Sequence, residues 1–320
     1  MISDETIIKS IPLALKTIDI PELGKKTQGK VRDIYFEDGK RILITTDRQS
    51  AFDVILGQIP YKGAVLNQLS QFWFEKTVSI VENHMISVPD PNVMIVKDCK
   101  GISVEMIVRG YMTGVTDTSI WYSYEKGERE IYGIKFPDGM KKNQKLAQPV
   151  ITPTTHAQAG AHDERLTHGM IIEKGLVEKS LYEQMEKASL ALFKFGQDWC
   201  EKQGIILVDT KYEFGLYNGK LTLIDEIHTP DSSRFWIAET YEERFVRGEE
   251  PEQYSKEFLR MWYVDHGYRG EGPPPPMPQD LAAKMAKLYI GIYEKITGEE
   301  FAEFTYPIEE RIKENLKKLI

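Results

Sequence analysis

The sequence predicts an α+β protein. Three observations carry that expectation. Two stretches, 29–60 and 205–226, read as antiparallel strands joined by glycine turns. Residues 180–202 repeat apolar side chains at steps of three and four, as a helix requires. After the prolines near 276 the tail reads as two further helices.

The first hairpin is clear locally. Residues 30–35 alternate, Glu37-Asp38-Gly39-Lys40 is a turn, and 41–46 is apolar and β-branched. Gly29 opens the first strand, and Lys30 and Arg32 stand two apart. On a strand that spacing puts both cations on one face, where they can lie along a polyphosphate. Ordinary exposed cations on a sheet are the plain alternative. Leu69, Phe72, Phe74 and Val78 predict a helix over 67–83, and 93–97 and 102–109 predict two more strands. Glu105 falls inside the second apolar run, where a carboxylate needs a partner. Arg109 ends that run before Gly110 and is a candidate anion ligand, with a surface or capping arginine as the alternative. The prolines and hydroxyls of 149–164 predict a structured loop. His156, His162 and His168 recur six apart, which is not metal-ligand spacing.

In the helix over 180–202, Leu181, Met185, Ala188, Leu192, Phe195 and Trp199 form a core stripe, with Ser180 and Gly204 as caps. The next segment carries the most chemistry. Asp209, Lys211 and Glu213 alternate after an apolar run, so they share one strand face. Asn218-Gly219 turns the chain, and the returning strand stops at Asp225-Glu226. Carboxylates held across a hairpin suit Mg²⁺, which takes one or two of them together with phosphate oxygens. Without a cation they repel at short range. A solvated face partly neutralised by Lys211 is the alternative. Thr229-Pro230-Asp231-Ser232-Ser233-Arg234 then gathers hydroxyls, a carboxylate and a guanidinium fork in one turn, unless it simply caps a helix. Pro273 to Pro276 make a stiff connector, followed by helices over 280–297, capped by Asp280, and 308–320.

Composition narrows the function classes. The chain has 320 residues, 41% hydrophobic and 28% charged, with a net charge of −8. That is enough for a core and for about two domains. An acidic balance gives no support for nucleic-acid binding. Cys99 and Cys200 are too few for a disulfide framework, so a reducing, cytoplasmic setting is expected. No secretory h-region and no membrane-spanning apolar run is present. Nucleic acid and membrane are therefore not expected partners. Gly-x-Gly-x-x-Gly, the Walker-type glycine loop and a Ser-His-Asp spacing are all missing. Paired cations, an acidic hairpin and two arginines beside loops suit phosphoryl transfer from a nucleotide on a β-rich lobe, with the acceptor undetermined.

Taken together, the motifs resemble one family. They are Gly29-Lys30-Val31-Arg32-Asp33, Thr46-Asp47-Arg48-Gln49-Ser50-Ala51-Phe52-Asp53, Ile59-Pro60-Tyr61-Lys62-Gly63 with Asn67, and Val108-Arg109-Gly110-Tyr111-Met112-Thr113-Gly114. They continue with Thr152-Pro153-Thr154-Thr155, His162-Asp163-Glu164, Asp209-Thr210-Lys211-Tyr212-Glu213-Phe214-Gly215, and Asp225-Glu226 through Arg234. In order and spacing, from about residue 20 to 295, this resembles the SAICAR synthetase family.

The resemblance implies a two-lobed kinase- or ATP-grasp-like fold. A β-rich N-terminal lobe (1–104) would face a larger central α+β lobe (105–245), with a helical C-terminal region (246–320). It implies ATP-dependent ligation of L-aspartate to CAIR, giving SAICAR, ADP and phosphate in purine biosynthesis, through an acyl phosphate. ATP and Mg²⁺ are the implied cofactors, CAIR and L-aspartate the substrates, and an assembly of identical copies is compatible with it. Residue by residue, Gly29, Lys30 and Arg32 resemble the ATP phosphate cradle, and Glu105, Glu213 and Asp225 its carboxylates. Asp225 and Glu213 would be the metal ligands. Arg109, Asp163, Asp209, Lys211, Ser233 and Arg234 resemble the CAIR pocket, with Asp209, Lys211 and Asp53 nearest the chemistry. Two positions depart from the family pattern. Val115 stands where a serine is usual after Thr113-Gly114, and His156 where a lysine is usual. A small-molecule kinase of the same fold and a non-catalytic nucleotide binder are the alternatives left open at this level.

Overall fold

Two antiparallel sheets organise the chain. They are seen in a computed structural model that describes residues 2–52, 54–155 and 163–317. Asp53, His156 and His162 lie outside the described residues.

The first sheet has the order Lys26–Gln28, Arg32–Glu37, Lys40–Thr45, Val93–Lys97, Met85–Asp90. The expected hairpin turns at Asp38-Gly39, both with positive φ (40° and 75°). One expectation is corrected here. The strand begins at Arg32, so Lys30 lies in the preceding bend and does not share a strand face with it. The reason is a tight turn: Lys26–Gln28 pairs back onto Arg32–Glu37 with Gln28 opposite Asp33, the Gly29 amide donates to the Arg32 carbonyl (2.8 Å), and the buried Arg48 guanidinium donates to the carbonyls of Gly29 (3.1 Å) and Lys30 (3.2 Å).

Tyr35, Ile42, Ile44 and Val93 are buried in one hydrophobic core together with Leu66, Leu69, Trp73 and Phe74 of the helix Lys62–Thr77. That helix starts five residues before the expected position. Its cap is remote, because the Gly63 amide donates to Asp47 Oδ1 (3.0 Å). Tyr61, just before the helix, takes φ 68° and offers no cap of its own.

The second sheet runs Gln144–Ile151, Val104–Met112, Ile205–Tyr217, Lys220–Ile224. Ser233–Ile237 also pairs with the first half of Ile205–Tyr217, which therefore has a neighbour on each side. Register follows directly: Asp209 stands opposite Arg109 on one neighbour and opposite Arg234 on the other. Further along, Glu213 faces Ile224, next to Asp225.

The helix Lys179–Lys202 buries Met185, Ala188 and Leu192 of the expected stripe in the core, whereas Leu181, Phe195 and Trp199 are half-buried and the unexpected Phe193 and Cys200 are fully buried. Its cap is Glu178, whose carboxylate accepts from the Leu181 amide (3.3 Å), rather than Ser180. Asp280 likewise lies inside the first turn of Gln279–Thr297, behind Pro278. The helix Ala238–Arg247 was not anticipated, and Glu257–Asp265 lies within the stretch 246–320 expected to be helical. The sheets are joined where Leu223 donates to the Glu82 carbonyl (2.8 Å) and accepts from the His84 amide (3.0 Å). No described helix is long and apolar enough to cross a membrane.

Candidate active site

The long strand Ile205–Tyr217 presents Asp209, Lys211 and Glu213 along one face, and each meets a different partner set. At the first position, Asp209 accepts from Arg109 Nη1 (3.4 Å) and from Arg234 Nη1. Arg109 is held further by Thr152 Oγ1 (2.8 Å) and the Thr118 carbonyl (3.0 Å). Arg234 also lies 3.7 Å from Glu257, which binds Arg260 at 3.0 Å. Ser233 Oγ donates to Thr210 Oγ1 (2.8 Å). Burial disfavours both guanidinium charges. For Arg109 burial prevails and the pKa falls, whereas for Arg234 the carboxylates of Asp209 and Glu257 outweigh it and raise the pKa. An open cavity lies against this cluster, lined by Arg109, Asp209, Lys211, Ser233 and Arg234 and also by Lys256, Glu257 and Arg260.

The second cluster begins at Lys211. Its ammonium binds Glu105 (2.7 Å) and Glu213, and Thr154 Oγ1 donates to Glu105 (3.3 Å). The buried Glu105 thus has the partner its surroundings demand. Beside it, Arg32 pairs with Asp225 and with Glu226 (3.0 Å). Asp225 sits at φ 68°, a left-handed conformation that a non-glycine residue adopts at a cost. Burial would raise the Asp225 pKa, but Arg32 and Lys211 hold it below the usual carboxylate value. Glu213 goes the other way. Burial, with Asp225 and Glu105 nearby, pushes its pKa up to about 7 despite Lys211. Lys211 itself is held above its ordinary value, since Glu213, Glu105 and Asp225 overcome the cost of burial.

A third group supports the first. Lys62 is fully buried and lies 3.0 Å from Asp231, which the Tyr289 hydroxyl also binds; that hydroxyl is 3.0 Å from Gln49 Oε1. Asp231 stays strongly acidic because Lys256 and Lys62 outweigh its burial.

The structure therefore brings Arg109, Asp209, Lys211, Ser233 and Arg234 together, and places Glu105, Glu213, Arg32 and Asp225 around the next positions. Gly29 and Lys30 lie in the bend before Arg32. Asp163 is exposed and does not line the cavity. Asp53 is outside the described residues. Among the described residues, no three His, Cys, Asp or Glu side chains converge as a metal site. Lys256, Glu257 and Arg260 were missed. The available signal was Lys256-Glu257 with Arg260 one turn on, but nothing local says which wall that turn faces.

Comparison with known proteins accords with this geometry. The family model described as SAICAR synthetase matches residues 25–275. The chain belongs to the SAICAR synthetase family. It is 49% identical over 313 residues to phosphoribosylaminoimidazole-succinocarboxamide synthase of Legionella pneumophila (strain Paris), covering 96% of this chain and 99% of that one. The chloroplastic enzyme of Vigna aconitifolia is 53% identical over 265 residues, covering 82% of this chain and 77% of that one. Among solved structures, the SAICAR-synthase from Saccharomyces cerevisiae complexed with SAICAR has a TM-score of 0.78 at 32% identity. It covers 91% of this chain and 100% of that one. A SAICAR synthetase in complex with ADP has a TM-score of 0.66 at 26% identity, covering 88% and 100%. Family membership decides for the ligase and against the small-molecule kinase.

Proposed function

We propose that this SAICAR synthetase uses ATP to activate the carboxylate of CAIR and joins it to the amine of L-aspartate, giving SAICAR, ADP and phosphate. The observation that carries the reading is one strand face on which Asp209, Lys211 and Glu213 run from a guanidinium pocket to an acidic corner. Guanidinium forks suit a phosphate, and an acidic corner suits a nucleotide with its counter-cation.

A free carboxylate is a poor electrophile, because its leaving group would be oxide. Transfer of the γ-phosphoryl group to a carboxylate oxygen gives an acyl phosphate and releases ADP. The amine then attacks the acyl carbon: the C–N bond forms, the C–O bond to phosphate breaks, and the amine loses a proton. Most of the protein's task is positioning and charge stabilisation. Gly29, Lys30 and Arg32 take the phosphates of ATP; Arg109, Ser233 and Arg234 take the ribose phosphate. Asp209 and Lys211 serve the imidazole end and Asp163 contacts substrate; the family resemblance alone gives Asp53 a role at the reacting carboxylate.

The donor set suits Mg²⁺. The candidate ligands are two, Glu213 beside Lys211 and Asp225 beside Arg32, and Mg²⁺ takes one or two carboxylates together with phosphate oxygens. Burial first, and then the neighbouring Asp225 and Glu105, hold the Glu213 pKa up at about 7. Asp225 and Glu213 would hold the ion, which when bound neutralises phosphate charge. Cys99 and Cys200 are free thiols, in keeping with a reducing cytoplasm.

The test is incubation with ATP, Mg²⁺, CAIR and L-aspartate, following phosphate release and product absorbance. Phosphate release should require both CAIR and aspartate. ATP turnover without aspartate dependence overturns the ligase reading.

A further inference from the structure

Lys256 immediately precedes the helix Glu257–Asp265 and lines the same cavity as Arg109, Ser233 and Arg234. That side chain is only 13% exposed, yet its ammonium has no hydrogen-bond partner among the described residues. Its ion-pair partner, Asp231 Oδ2, is 3.7 Å away and is engaged more closely by Lys62 (3.0 Å) and by the Tyr289 hydroxyl. The other cations of this wall have closer carboxylates. Arg234 has Asp209, and Arg260 has Glu257 at 3.0 Å. A nearly buried ammonium with its donors unsatisfied is costly unless an anion completes it. The cavity as a whole carries five cationic side chains against three carboxylates, so an anion entering it meets a net positive wall.

We infer that Lys256 is a substrate-binding residue of this enzyme, donating to an oxyanion of a bound substrate. The inference rests on the ligase reading, because both substrates of that reaction carry such oxygens. A compact ammonium on a flexible stem suits a single oxygen, whereas the arginines of the same cavity suit a bidentate phosphate. The oxyanion has two sources, a carboxylate of L-aspartate or the sugar phosphate of CAIR.

Lys256→Met removes the charge and keeps the stem, and Lys256→Arg restores a charge. Steady-state KM values for aspartate, CAIR and ATP, with a melting curve for each variant, separate the cases. The expected result is a KM about tenfold or more higher for one of the two oxyanion substrates in Lys256→Met, the loss of one charge-assisted hydrogen bond. The KM for ATP should hold, and Lys256→Arg should recover most of the loss. A selective rise for aspartate assigns the carboxylate, and a selective rise for CAIR assigns the phosphate. Unchanged KM values, or a rise shared equally by ATP, overturn the inference and leave Lys256 a structural partner of Asp231. Wild-type protein that never requires aspartate would instead count against the ligase reading itself.

Discussion

Arg32 and Asp225, 193 residues apart, form an ion pair that fastens the first sheet to the acidic end of the second. Glu226 adds a second contact to the same guanidinium at 3.0 Å. Burial opposes the Arg32 charge, but Asp225, Glu226 and Glu213 outweigh it and raise its pKa. The proposed reaction uses the same two residues for nucleotide phosphates and their counter-cation. Loading the site then exchanges one partner of each for another, with little new charge to desolvate.

Asp225→Asn tests this directly. The amide keeps the shape and removes the charge, while Arg32 retains Glu226. Turnover should fall by about two orders of magnitude or more, the scale of losing one preorganised charge contact. Loss of stability should stay below the roughly 3–5 kcal/mol of a fully orphaned buried charge. Phosphate release and a thermal melt check both. Near-normal turnover removes Asp225 from the phosphate machinery.

Arg234→Lys separates charge from geometry. Arg234 reaches Asp209 and Glu257 with two arms of one planar group. Lysine preserves the charge but cannot span both, and it cannot bind a phosphate bidentately. The KM for CAIR should rise about tenfold or more, while the KM for ATP holds. An unchanged value for CAIR takes Arg234 out of the sugar-phosphate pocket.

Gly114 is set by both backbone and space. Its φ is 100°, and a Cβ there would lie 2.4 Å from Ser119 Cβ and 3.2 Å from Arg234 Nη2. Gly114→Ala should cost about 1–3 kcal/mol from strain and crowding. It should also raise the KM for CAIR, because relief pushes on Arg234. A melt together with KM values reads the two effects. A stability loss with no change in KM would uncouple Gly114 from the pocket.

Much of this site was legible because it lies on strands. Alternation put Asp209, Lys211 and Glu213 on one face, and the apolar run around Glu105 demanded a partner, which is Lys211. Residues whose placement depends on distant contacts were not legible. Lys30 falls in a turn because Lys26–Gln28 pairs back onto Arg32–Glu37, and the helix Lys62–Thr77 starts early with its Gly63 amide on Asp47. Asp231 was noticed as a turn carboxylate, but its ties to Lys62 and Tyr289 span 169 and 58 residues. No local window contains such pairs. Lys256 was invisible for the same reason: its neighbours in sequence are ordinary helix-start residues, and its significance comes from the cavity wall it completes.

The pH dependence of substrate binding follows from Lys256. Burial, then Arg260 and Lys62, push its pKa down from 10.5 to about 8, against Asp231. A lysine is charged below its pKa, so between about 8 and 10.5 the folded protein holds fewer protons here than the unfolded chain. In the ligand-free protein, this group's contribution to stability therefore rises with pH across that window. Binding runs the opposite way, because the ammonium that meets the oxyanion is lost over the same range. The KM of the substrate that Lys256 binds should climb as pH passes about 8. Deprotonation of the aspartate amine also changes the rate with pH, but it belongs to the substrate and is common to every variant. Lys256→Arg supplies a charge that does not titrate in this range, so its KM profile should lose the inflection that wild type shows. Profiles for aspartate and CAIR from about pH 7 to 10 decide the matter. Identical profiles for wild type and Lys256→Arg would mean that the titrating group is elsewhere.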